Sequence, residues 1–220
     1  MSHRLLPHPI HLMAILMACL IVPAVSVAQS DEDVISQEYF LQQPPDEDLV
    51  IRINAFEAEF ESTISGENGE TLLVSAVPGS RIVPIIQYVD APDRLRQLDI
   101  RVNSRLHTDR SEFGLELTRL KIWDDRSRSI SQAYRMLSFG MLSSPDDSAA
   151  NWTVKIDSLV NAGRLFQRFG MMEMRLWANY MSAHLILFHL HDYSIVYSMT
   201  NEILADLKGQ RLQEIELATL

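Results

Sequence analysis

The apolar residues of this chain change their period near Trp123-Asp124-Asp125. Ahead of that point they alternate with polar residues, as in half-buried strands; beyond it they recur three and four positions apart, as on one helix face. One element cannot serve both periods. The expected fold class is therefore α+β, with an N-terminal antiparallel, sandwich-like β module followed by antiparallel helical hairpins of repeat type.

In the first part, Phe56, Ala58, Phe60 and Ile64 alternate with Glu57, Glu59, Glu61 and Thr63, which predicts one strand with a core face and a wet face. Gly66-Glu67-Asn68-Gly69 is a hairpin turn, with Leu72 to Val77 as the return strand. The proline of Ile82-Val83-Pro84-Ile85-Ile86 cannot donate to a ladder, so that run belongs at an edge or a bulge. Leu98, Ile100 and Val102, then Phe113, Leu115 and Leu117, complete about five or six short strands.

Four helices are predicted after Asp125. Their stripes are Ile130, Ala133, Tyr134, Leu137 and Met141; Trp152, Ile156, Leu159, Gly163, Phe166 and Gly170; Leu176, Tyr180, Ala183 and Leu187; and Val196, Met199, Ile203 and Leu207. Leu212, Ile215 and Leu220 predict a fifth. Leu220 is expected to be either a dimer contact through that C-terminal helix or the point where a longer array was cut.

At the N-terminus, Arg4 precedes an apolar run from Ile10 to Val25 that ends in Ser26-Val27-Ala28. This is the pattern of a secretory signal peptide over residues 1–28, cleaved after Ala28, with export to the periplasm or the medium. An uncleaved anchor and a lipoprotein-type site at Cys19 are the competing readings, opposed by Pro23 and by apolar Leu20-Ile21-Val22. Cleavage removes Cys19, the only cysteine. The mature chain then has no thiol for a disulfide, a nucleophile or a metal. Residues 29–48, with Asp31-Glu32-Asp33 and Pro44-Pro45-Asp46-Glu47-Asp48, read as a disordered leader, residues 49–125 as the β-rich module and 126–220 as the helical region. With 19 Lys+Arg against 29 Asp+Glu the chain repels polyanions, which disfavours nucleic acid as a partner. No stable membrane span is expected once the signal is removed, since the apolar part of Met181 to Leu190 is short and carries His184 and His189.

The third and fourth helices have a more particular signature. Leu176-Trp177-Ala178, Tyr180 and Ala183, then His191-Asp192-Tyr193, Val196 and Ile203-Leu204, resemble a tetratricopeptide repeat, over about one and a half units. His191 stands where that family has a glycine, Val196 and Ile203 stand for alanines, and no proline closes the unit near Lys208. The resemblance implies a concave protein-binding surface, with Tyr180, His184, Tyr193 and Tyr197 as partner contacts.

No residues assemble into a catalytic or cofactor signature, so no enzyme activity and no cofactor are expected. There is no G-x-S-x-G nucleophile turn and no phosphate loop. Glu57, Glu59, Glu61, Asp124 and Asp125 read as charged surface rather than a paired acid and base. His184, His189, His191 and Asp192 lack the i, i+4 spacing of a helical zinc site. The expected function is an exported scaffold that binds a protein or peptide in the cell envelope. Two alternatives stand beside it: the N-terminal part of a longer repeat protein with a catalytic domain of, for example, caspase-like type, and a carbohydrate-binding β module. For the latter, Tyr88, Phe113 and Trp123 are the available aromatics, and they read as core.

Overall fold

The computed structural model describes residues 36–56, 59–76, 84–106, 112–142 and 149–207. Within them the order is β1 (Ser36–Gln43), β2 (Glu47–Phe56), β3 (Glu59–Gly66), β4 (Thr71–Ala76), β5 (Ile85–Val89), β6 (Arg96–Leu106) and β7 (Glu112–Lys121). Helices α1 (Asp125–Met141), α2 (Ala149–Arg168), α3 (Met172–Leu185) and α4 (Tyr193–Leu207) follow, with a π-helical turn at Ile186–Leu190. The α+β expectation holds. No helix among the described residues is long and apolar enough to cross a membrane.

Two antiparallel sheets form, in the orders β1-β6-β3-β4 and β5-β2-β7. Only β3 and β4 are consecutive strands that pair, around a turn closed by the Gly69 N–H donating to the Gly66 carbonyl at 2.9 Å. Each other connection between consecutive strands changes sheet, as in Greek-key sandwiches. Leu98, Ile100 and Val102 of β6 and Phe60 and Ile64 of β3 are buried, as are Leu49, Ile51 and Ile53 of β2, and alternation places these sets on the facing sides.

Three sequence expectations change. The leader assigned to residues 29–48 includes β1 and the start of β2: Tyr39 and Leu41 register with Ile100 and Leu98, and alternation turns them to the core face while Glu38, Phe40 and Gln42 face out. Sparse apolar residues suffice for an edge strand. Residues 29–35 lie outside the described residues, as do the signal segment and Leu212 to Leu220. The single strand expected through Phe56 and Ile64 is two, β2 ending at Phe56 and β3 beginning at Glu59, in different sheets. Strands number seven among the described residues.

Pro84 directly precedes β5, an edge strand, as its missing donor requires. Every residue of β5 is nevertheless buried. Gln87 accepts from Ser62 of β3 at 2.9 Å on one side, and on the other Tyr88 meets α1. Helix α1 thus covers the edge that β5 would expose.

Asp124 caps α1, accepting from the Ser127 N–H at 2.6 Å while the Ser127 hydroxyl accepts from the Asp124 N–H at 3.0 Å. Gly170 closes α2 at φ 71°, with Gly170 N–H donating to the Gln167 carbonyl and Met171 N–H to Phe166, the paired bonds of a Schellman stop. Helix α2 packs on α1, α3 on α2 and α4 on α3. The boundary expected at 125/126 is a change of secondary structure and not of core: one apolar cluster runs from Leu49 through Ala133, Leu137 and Phe166 to Trp177 and Ile203.

A buried polar cluster joins the layers. The Tyr88 hydroxyl donates to Asp48 Oδ2 at 2.6 Å and lies 2.7 Å from the Ser131 hydroxyl, which donates to the same oxygen at 2.6 Å. Ala91 N–H donates to Asp48 Oδ1 at 2.7 Å, and Tyr88 N–H to Ser138 Oγ at 3.0 Å. Burial, then the bond to Asp48, pushes the Tyr88 phenol far above its usual range, so it stays a donor.

Candidate functional site

Helices α3 and α4 are separated by the π-helical turn, whose extra residue re-aims successive side chains. Phe188 turns toward α4, whereas His189 lies flat on the Trp152 ring of α2, centroids 3.6 Å apart and planes at 8°. His191 ends the turn in the left-handed region at φ 56°, its Nδ1 3.1 Å from the Leu187 carbonyl. Asp192 then caps α4, accepting from Ser194 N–H, the Ser194 hydroxyl and Ile195 N–H. Those bonds hold its carboxyl below the usual carboxylate range.

This reversal leaves a groove of about 210 Å³ between the two helices. Tyr180, Ala183, His184, Leu187 and Phe188 line one side; Val196, Thr200 and Ile203, at i, i+4 and i+7 of α4, line the other. An aromatic run follows α3: Trp177 meets Tyr180 edge-on at 5.9 Å, Tyr180 lies 6.2 Å from His184, and His184 lies 4.5 Å from Phe188. Burial, and then the neighbouring His189, lowers the His184 pKa, which favours the neutral imidazole. The lining is uncharged apart from any proton on His184. Such a groove holds apolar side chains by contact and orients them through a phenol, an imidazole and a hydroxyl.

Of the expected contacts, Tyr180 and His184 lie together in the groove. Tyr193 and Tyr197 do not line it; they stand on α4 at 69% and 73% exposure. Phe188, Leu190 and Ile195 are exposed nearby. Ala183, Leu187, Val196 and Ile203 are legible as helix stripes, and Thr200 lies on the Val196 stripe without an apolar side chain to mark it. A stripe shows which face is apolar, not whether another element covers it.

The remaining polar candidates go elsewhere. His184, His189 and His191 each have a different surrounding, and no group of three or more His, Cys, Asp or Glu among the described residues could hold a metal ion. Asp124 is a cap and Asp125 pairs with Arg128 at 2.8 Å. Tyr88 is buried, Trp123 stands 76% exposed, and the side chain of Phe113 lies outside the described residues.

By fold and site this is a β-sandwich carrying a helical layer with an interhelical groove that is open among the described residues. Comparison with known protein families, with curated proteins and with solved structures finds no match to the chain.

Proposed function

We propose that this protein is an exported scaffold whose sandwich is a rigid base and whose α3–α4 groove binds a protein or peptide of the cell envelope. One observation carries the reading: a groove lined by Tyr180, His184 and Phe188, which no described residue fills, lies between the same helices that carry exposed Tyr193, Ile195 and Tyr197. Adjacent exposed apolar and aromatic groups mark interaction surfaces, because water contact costs free energy that a partner removes. A left-handed residue at His191, where tetratricopeptide units carry glycine, supports the repeat-like reading of α3 and α4. On this reading the protein needs no cofactor and catalyses nothing.

The test uses the whole mature chain, because the layers share one core. A photo-crosslinking residue replaces Tyr197, with a control at exposed Thr118 of β7, in envelope extracts. The expected result is a defined adduct specific to position 197, whose purified partner binds the native chain and loses at least tenfold in affinity to Phe188→Asp and His184→Ala. Equal adducts at both positions, or an affinity indifferent to both groove variants, would overturn it.

A further inference from the structure

A second concavity, of about 600 Å³, lies on the opposite side of the molecule, on the face of β1-β6-β3-β4 turned away from the other sheet. Alternation along β6 points Gln97, Asp99, Arg101 and Asn103 outward in a row, with like-facing neighbours about 6.6–6.8 Å apart. Registration adds Glu38 and Phe40 of β1 beside Arg101 and Asp99, and Thr63 of β3 on the other side of Arg101. The hairpin of Gly66 to Gly69 forms one wall. We propose that this groove binds a neutral oligosaccharide.

The chemistry of the lining narrows the ligand. Phe40 is 47% exposed in the middle of a strand, a flat apolar platform that nothing among the described residues covers. Around it stand planar amides, a carboxylate, a guanidinium and hydroxyls, which hydrogen-bond in fixed directions. The Arg101 guanidinium is steadied by Asp99 Oδ2 at 3.1 Å and by Glu38 at 3.3 Å, while Asp99 Oδ1 has no hydrogen-bond partner among the described residues.

Three classes fit poorly. The acids Glu38, Glu67 and Asp99 outnumber Arg101 here and repel phosphates, sulfated glycans and nucleic acid. An apolar ligand would strip water from a polar floor without returning hydrogen bonds. A peptide strand adds to a sheet edge, and this is a sheet face. A sugar ring has what remains, an apolar face for Phe40 and hydroxyls for the polar row, and the row is long enough for several rings. The site is independent of the α3–α4 groove, so failure of either proposal leaves the other standing.

The test is native gel electrophoresis of the mature protein through gels holding neutral mixed-linkage glucan, xylan, galactomannan or dextran, followed by calorimetric titration with a hexasaccharide of the retarding polymer. Retardation by at least one of these is expected, with affinity falling at least tenfold in Phe40→Ala and in Asp99→Asn and unchanged in Tyr197→Ala. Circular dichroism establishes that the variants fold. No retardation in any neutral gel, retardation by anionic polysaccharides alone, or affinity unchanged in Phe40→Ala would overturn the proposal. So would a dimer that Phe40→Ala dissociates, since a second copy would then cover the face.

Discussion

The tie between sheet and helices is tested by Tyr88→Phe and Ser131→Ala, singly and together. Tyr88→Phe removes a 2.6 Å bond to the Asp48 carboxylate, and hydrogen bonds to charged groups contribute about 1.5–3 kcal/mol. Ser131→Ala removes the second bond to the same oxygen, also 2.6 Å, at a similar cost. Each single variant leaves Asp48 Oδ2 one donor. The double variant leaves it none, in a residue only 3% exposed, so the combined loss should exceed the sum of the singles by about 1 kcal/mol or more. Losses of about 4–7 kcal/mol in total compare with a net stability of about 5–15 kcal/mol for a domain. Urea titration would follow the fluorescence of buried Trp177 in α3 together with hydrogen exchange at β2 and β5. With one continuous core, both probes should lose their native signal in the same transition and move together in every variant. Additivity within about 0.3 kcal/mol, or a β-layer transition that shifts while Trp177 does not, would refute the interlayer tie.

Gly140→Ala should destabilise by about 1–2 kcal/mol despite alanine's better helix propensity, because the new Cβ would lie 2.3 Å from Cγ of fully buried Leu159; thermal melting of the variant checks this. Asp192→Ala removes three bonds at the start of α4 and should cost about 1 kcal/mol in urea titration, with exchange protection lost first at Ser194 and Ile195. Acidification should destabilise through His184. Its folded-state pKa lies below the ordinary 6.5, so the unfolded chain takes up the proton first, and stability present above that value falls as pH descends through it toward the folded pKa. The melting temperature of the native chain should therefore drop more steeply below about pH 6.5 than that of His184→Gln, and parallel curves would exclude this role.

Much of the scaffold was legible locally. The alternation of Leu98, Ile100 and Val102, the hairpin at Gly66 to Gly69 and the stripes of the four helices are set by spacings within a few residues, whereas Asp124, expected as charged surface, is a cap. The site was half legible. Tyr180 and His184 are i, i+4 neighbours on one helix face, so the sequence alone brings them together. Tyr193 and Tyr197 share a face for the same reason, but the turn that precedes them decides that this face borders the groove instead of lining it.

Sequence determined the periods, the caps and the turns, because each depends on φ/ψ preference and on side-chain direction within one element. Tertiary structure alone decided that β1 joins β6, that α1 covers β5, and that Asp48, Tyr88 and Ser131 meet across 83 positions of chain. It also decided which apolar stripes stay open among the described residues. Those outcomes depend on which surfaces find each other when the chain closes on itself, and an amphipathic pattern reports that a face needs covering without naming what covers it.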